Sequence, residues 1–437
     1  MNKKEFNERY EQLTPKQKQT LRLFLDGNAD EKIAELMDVT PSNIRHHIAN
    51  ICGKFGFSNE EGEHFRQRQC LVEIFVKHRP QLVNFEVMKK YLGEIPMVEI
   101  EFPQGPVPLT SSFYLERDNI ETVCKEEILR SGALIRIKAP KQMGKTSLLD
   151  RIIEHAGNQN YKTVRLNLRE ADARQFSNLD SFLRWFSAYI SLQLKIPNQI
   201  DDYWDEEMIG SKSSCKNYFD SYLLQQIETP LVVALDEVDR IFDFPNISQE
   251  FFPMLRSWHE EAKTADIWKQ LRLIVVHSTE DYGRLDINQS PFNVGLPVEL
   301  KEFSEAEVQN LAHLHNLEWK NEPMQHLMKM VGGHPYLIRL ALYNLANRHL
   351  KLEELLKNAA TDAGIYSEHL RRHLETLQQH PKLAVALKQV VNSPEPVKIE
   401  TMLGYKLDSM GLINRHGDYS SPKCHLYRLY FAPRLND

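Results

Sequence analysis

The chain has 437 residues, 42% of them hydrophobic and 26% charged, so it is too long for one ordinary core and too apolar to be disordered throughout. A formal net charge of −6, with no polybasic tail or acidic block, leaves any nucleic-acid surface to local clusters. Five scattered cysteines without a CxxC argue against a disulfide framework or zinc site; with no apolar run long enough to span a bilayer and no apolar leader, they predict a cytoplasmic protein without membrane attachment.

Residues 1–80 show apolar positions at helical spacing. Leu21, Phe24 and Leu25 mark one helix, Ile33, Ala34, Leu36 and Met37 a second, and Ile44, Ile48, Ile51 and Phe55 a third. Asp26-Gly27-Asn28 stops the first. Thr40 reads as the N-cap of the third, with Pro41 at its first helical position. A further amphipathic helix is expected over Phe65 to Lys77. Four prolines between Pro96 and Pro108 cannot enter a helix interior, and residues 81–112 read as a linker.

From Phe113 the pattern becomes alternating strands and helices. The strand candidates are Ala133 to Lys138, Thr163 to Leu168, Leu231 to Leu235, Leu271 to His277 and Leu296 to Leu300, with helices Thr146 to His155 and Phe182 to Leu194 among those between them. Short buried strands separated by helices predict a parallel sheet covered on both faces. Residues 301–375 read as helical, and the tail from Leu407 to Ala432 as a helix followed by a small β-wing.

The sharpest signal is Ala139-Pro140-Lys141-Gln142-Met143-Gly144-Lys145-Thr146, between the strand LIRIK and the helix TSLLDRII. Gly144 permits the turn that aims successive backbone N–H groups, from Lys141 to Ser147, at a phosphate on a helix N-terminus. Lys145 would reach the β- and γ-phosphates, and the Thr146 hydroxyl would ligate Mg²⁺. The first glycine of the usual pattern is replaced by Ala139. A second signal is the strand LVVAL ending in Asp236-Glu237: Asp236 suits the metal side and Glu237 a general base for the attacking water. Asp239 and Arg240 continue this edge and could face a neighbouring subunit. The strand LRLIVVH delivers Ser278 and Thr279 where a γ-phosphate sensor would sit, beyond the carboxyl end of a parallel strand.

With APKQMGKTSLL, LVVALDEVD, VVHSTE, QSPFNVGLPVEL and VGGHPYLIRLAL, the span from Phe113 to Phe431 resembles the AAA-like/STAND group of bacterial P-loop ATPases. The resemblance implies ATP or ADP with Mg²⁺ as cofactors. It implies a Gly333-His334-Pro335 turn that brings His334 and Pro335 to the nucleotide base, and Tyr114 and Arg117 on the adenine side. It also implies a C-terminal winged helix, in which His416 or His425 could meet a phosphate.

The segment from Leu13 to Phe57 resembles the LuxR-type helix-turn-helix and the related vWA-MoxR-associated type found on conflict-system and signalling ATPases. Its recognition helix would span Ser42 to Phe55 and offer Asn43, Arg45, His46, Asn50 and Lys54 to duplex DNA. Near-balanced charge over residues 1–94 leaves docking of a partner protein as the alternative.

Weaker constellations favour surface roles. His369, His373 and His380 read as a solvated helix face, since no acidic or cysteine partner lies nearby. Arg256 and Arg284 are arginine-finger candidates, each more simply explained as a surface ion pair.

The fold class expected is multidomain α/β: an all-α helix-turn-helix domain (1–80), a linker (81–112), a P-loop αβα core with parallel sheet (113–300), a helical lid (301–375) and a winged helix (376–437). The function expected is a slowly hydrolysing ATP-dependent switch that couples nucleotide state to DNA or to a partner effector protein. The rivals are a DNA-loading ATPase that forms nucleotide-dependent homo-oligomers on duplex, and a non-hydrolysing adaptor with structural ADP.

Overall fold

The computed structural model describes residues 1–57, 64–92, 100–117, 119–278, 293–319, 321–347 and 350–435. Two compact units emerge. One comprises Met1–Leu115, Phe303–Met328 and Ile338–Leu355; the other comprises Glu116–Glu302, Lys329–Leu337 and Leu356–Asp437.

In the second unit the five apolar runs become strands β1 (Leu134–Lys138), β2 (Lys162–Asn167), β3 (Leu231–Asp236), β4 (Leu271–His277) and β5 (Leu296–Glu299). They form one parallel sheet in the order β2-β3-β4-β1-β5. Every residue of β3 and β4 is buried, so these strands lack polar alternation. The two-residue period of a strand divides them between two cores. Leu231, Val233 and Leu235 pack with Phe182, Phe186, Phe251 and Trp258 on one face. Val232 and Ala234 pack with Leu148, Leu149 and Ile152 on the other. A fully buried Val or Leu contributes about 1.5–3 kcal/mol, so a polar side chain on either face of β3 would be costly.

The same unit carries a second, antiparallel sheet of β6 (Val397–Lys398), β7 (Ile413–His416) and β8 (Tyr419–Pro422), ordered β6-β8-β7. Helices Pro381–Asn392, Thr401–Ser409 and His425–Arg434 flank it in sequence. Among the described residues between Glu305 and Gln379 there are five helices, Glu305–Leu314, Asn321–Val331, Pro335–Asn347, Leu352–Asn358 and Ser367–Gln379.

The first unit opens with helices Lys3–Glu11, Pro15–Leu25, Asp30–Met37, Pro41–Lys54, His64–His78 and Phe85–Leu92. The last of these falls within the span expected as linker. Helix starts follow from capping chemistry. Thr14 and Gln17 form a reciprocal capping box, and Thr40 accepts from the Asn43 N–H with Pro41 in the first turn. Phe6, Phe55 and Phe75 meet at 5.0–5.4 Å between ring centroids and anchor the core. Leu36 departs from expectation: it is exposed while Ile33 and Ala34 are buried. At 100° per residue the buried stripe centres on Ile33, Ala34 and the half-buried Met37, and Leu36 falls to one side of it.

Candidate functional site

The carboxyl ends of β1, β3 and β4 deliver three polar segments. After β1, Ala139 to Gly144 forms a tight loop leading into helix Lys145–Asn158. Gln142 and Gly144 have φ of 64° and 94°, the left-handed region. At Gly144 a side chain would be strained by φ, and its Cβ would stand 3.2 Å from the Arg117 guanidinium. The Lys145 ammonium turns back onto its own loop and donates to the carbonyls of Ala139 and Pro140 at 2.8 and 2.9 Å. Burial pushes its pKa down to about 8, opposed by the carboxylates of Asp239, Glu237 and Asp236.

The helix start after the loop and the acid at the end of β3 come together. Thr146 Oγ1 donates to Asp236 Oδ2 at 3.2 Å across 90 residues of sequence. Glu237 takes φ 57°, a strained conformation for a residue with a side chain, and its N–H donates to Asp236 Oδ1 at 3.0 Å. Two arginines that sequence reasoning missed hold both acids. Arg165 on β2 donates to Asp236 Oδ2 and to Asp150 Oδ1, each at 2.8 Å. Arg169, just beyond β2, pairs with Glu237 at 2.9 Å. Arg165 lies on β2, which pairs with β3, and Arg169 follows in the turn after it, so only the pairing of the two strands brings them to the acids.

Several expected roles are revised. The Asp239 carboxylate accepts from the Ser278 N–H at 2.9 and 3.1 Å and so ties the end of β4 to that of β3. Arg240 lies over Phe176 and Phe244. Arg256 makes the kind of ion pair favoured for it from the sequence, with Glu260 one turn away. Thr279 and Arg284 lie outside the described residues. Arg117 donates to the Met143 carbonyl at 2.8 Å and so braces the loop, while Tyr114 is buried within the other unit. His416 and His425 are exposed.

The largest revision concerns the histidines. His369 is not on a solvated face: it is 2% exposed, its Nδ1 lies 2.7 Å from Gln142 Oε1 and its Nε2 lies 2.8 Å from the Tyr427 hydroxyl. His334 and His373 stand edge-on to it at 5.4 and 4.8 Å. Burial pushes His334 down to about 3 and His373 to about 4, and drives His369 well below its ordinary value, so the cluster is neutral at physiological pH. Of the three histidines only His380, just past the end of that helix, is exposed as expected. Pro335 opens helix Pro335–Asn347, directly after His334.

On the helix Pro41–Lys54, Asn43, Arg45, His46 and Asn50 are exposed on the side away from Ile44, Ile48 and Ile51. Arg45 has Asp30 and Glu31 of the preceding helix at 3.5 and 3.9 Å. Lys54 is committed internally, donating to the Gln12 carbonyl and Gln17 Oε1 at 2.7 and 2.9 Å. Among the described residues, no cluster of His, Cys, Asp and Glu has the make-up of a metal centre, and no helix is long and apolar enough to cross a membrane.

The family model of the AAA-like domain matches residues 102–433, and that of bacterial regulatory proteins of the luxR family matches residues 11–61. No curated protein matches the sequence. Among solved structures, the Walker-type ATPase PABY2304 of Pyrococcus abyssi has a similar fold, with a TM-score of 0.52 at 13% identity over 72% of this chain and 95% of that one. The ADP form of the Aeropyrum pernix ORC2 protein aligns with a TM-score of 0.41 at 15% identity, over 74% of this chain and 95% of that one.

Proposed function

The chain belongs to the AAA-like domain family, and on that premise we propose that it is an ATP-dependent switch whose nucleotide state governs a LuxR-type DNA-binding helix-turn-helix. The observation that carries this reading is the 3.2 Å contact between Thr146 and Asp236, which joins the loop after β1 to the acid at the end of β3. Both groups are hard oxygen donors and suit Mg²⁺, which would supply charge neutralisation between the phosphates and the protein. The backbone N–H groups of Lys141 to Ser147 cradle the phosphates, and Lys145 leaves its loop carbonyls to reach them. Glu237, once released by Arg169, accepts the proton of the attacking water. The Gly333-His334-Pro335 turn supplies a nucleotide contact beside the loop. The wing formed by β7 and β8, read as part of a winged helix, completes the unit.

Light scattering after size exclusion tests the switch, with ADP or non-hydrolysable ATP, each with and without duplex DNA. The expected result is a DNA complex whose stability differs between the two nucleotides. Multiple ATP-dependent copies assembling along the duplex would instead make the protein a DNA-loading ATPase. Tightly held ADP with no phosphate release would make it an adaptor.

Two further outcomes follow from the geometry. The neutral form of Lys145 dominates above about 8 in the free site, whereas bound phosphates favour the charged form. Nucleotide affinity is therefore level below that pH and falls above it, by up to about tenfold per pH unit, as titration calorimetry from roughly pH 7 to 9.5 would read. On the recognition helix, Arg45→Ala weakens duplex binding and lowers the salt slope by about one counterion. Lys54→Ala acts first on the stability of that unit, because its ammonium serves two internal acceptors. Salt-dependent anisotropy and thermal melts of the full chain separate the two effects.

A further inference from the structure

The phosphate loop is held from outside its own strand and helix. Gln142 sits at the loop tip in a left-handed conformation that only glycine adopts freely, so something must hold it there. Its side chain bonds to His369, on helix Ser367–Gln379, and His369 in turn bonds to Tyr427 on helix His425–Arg434. A neutral imidazole has one donor nitrogen and one acceptor nitrogen, so the chain has a direction: Nδ1–H donates to Gln142 Oε1, and Nε2 accepts from the Tyr427 hydroxyl. Tyr427 is itself 2% exposed and stacks against His369 at 5.9 Å. A second contact runs in parallel. Gly411, with φ 75°, lies so close to Pro140 that an added Cβ would come within 2.9 Å of its ring.

We infer that His369 is the positioning residue of the phosphate loop and that the chain Gln142–His369–Tyr427 transmits the loop's state to the C-terminal helix His425–Arg434. The inference rests on the nucleotide-binding reading above. When phosphates draw the loop's N–H groups inward, Gln142 must move with the backbone, and its bond to His369 must shift or break. Because the imidazole is packed among His334, His373, Tyr336 and Tyr427, it has no solvent partner to turn to, and its displacement is felt at the Tyr427 hydroxyl. The hydrogen bonds of His369 go to Gln142 and Tyr427, and its action on the site is through Gln142.

Hydrogen–deuterium exchange on the full chain, with and without ADP or non-hydrolysable ATP, tests this. In the unsubstituted protein, nucleotide is expected to change exchange in residues 139–146 and also in 425–434. Tyr427→Phe and His369→Asn should keep the change at 139–146 and lose it at 425–434, because an Asn amide can replace Nδ1 but cannot reach Tyr427. His369→Ala should also weaken nucleotide binding several-fold, and the Asn variant should restore most of that loss. A merely structural role would loosen the whole unit in all three variants without this split. If nucleotide alters 139–146 in the unsubstituted protein but leaves 425–434 unchanged, the relay is wrong while the nucleotide site stands. If neither segment responds, the nucleotide-binding reading itself fails.

Discussion

Lys145→Ala is expected to weaken ATP and ADP binding by at least tenfold, or about 1.4 kcal/mol, in titration calorimetry. In the free protein this ammonium already lies in the loop, satisfied by the carbonyls of Ala139 and Pro140. Binding would exchange those two neutral acceptors for charged phosphate oxygens, and charge-assisted bonds are roughly twice as strong as neutral ones. The substitution also exposes two buried carbonyls, but these can be met by water once the side chain is gone. The unit should therefore stay folded, and circular dichroism melts would verify that. Unchanged nucleotide affinity in a folded variant would mean that Ala139 to Thr146 is not the phosphate cradle.

Glu237→Gln should separate binding from chemistry, leaving nucleotide affinity near its starting value while steady-state phosphate release drops by roughly 10²-fold or more. The amide keeps the length of the side chain and the left-handed backbone at φ 57°, and the N–H bond to Asp236 is untouched. What it loses is the basic oxygen and the ion pair with Arg169. That pair is half-exposed and contributes little to stability. Phosphate release that survives the substitution would move the role of base elsewhere. The Arg169 contact gives this experiment a second reading: if Arg169 restrains Glu237 in the resting protein, Arg169→Ala should raise the basal rate that Glu237→Gln abolishes.

How much of this is legible in the sequence depends on the range of the interaction. The central strands β3 and β4 declare themselves because full burial on two faces demands near-continuous apolar runs, and Thr40-Pro41 marks its helix start through local capping. The loop at Lys145 and the acids at Asp236–Glu237 are legible because each is a contiguous motif tied to one strand end. Arg165 and Arg169 are not, since their meaning depends on β2 pairing with β3, which no local pattern encodes. His369 escapes for a related reason. Its helix has polar residues on most sides, so a histidine there looks solvated until the loop bearing Gln142 and the helix bearing Tyr427 close over it. Asp239 escapes in the same way, its partner being the backbone at the end of another strand.

The bridge made by Arg165 between Asp236 and Asp150 changes what it means for this pocket to receive a divalent ion. Asp236 is not a bare anion waiting for a counter-charge; a guanidinium already holds the oxygen that Thr146 shares. Were a divalent ion held there, its uptake would exchange one cation for another, and the pocket's total charge would rise by less than the ion's own two units if Arg165 withdrew. Asp150 gives the displaced guanidinium a place to remain, on the same helix that carries Thr146. Occupancy by nucleotide and metal would thus be written into the hydrogen-bond pattern of β2, one strand away from the phosphates themselves.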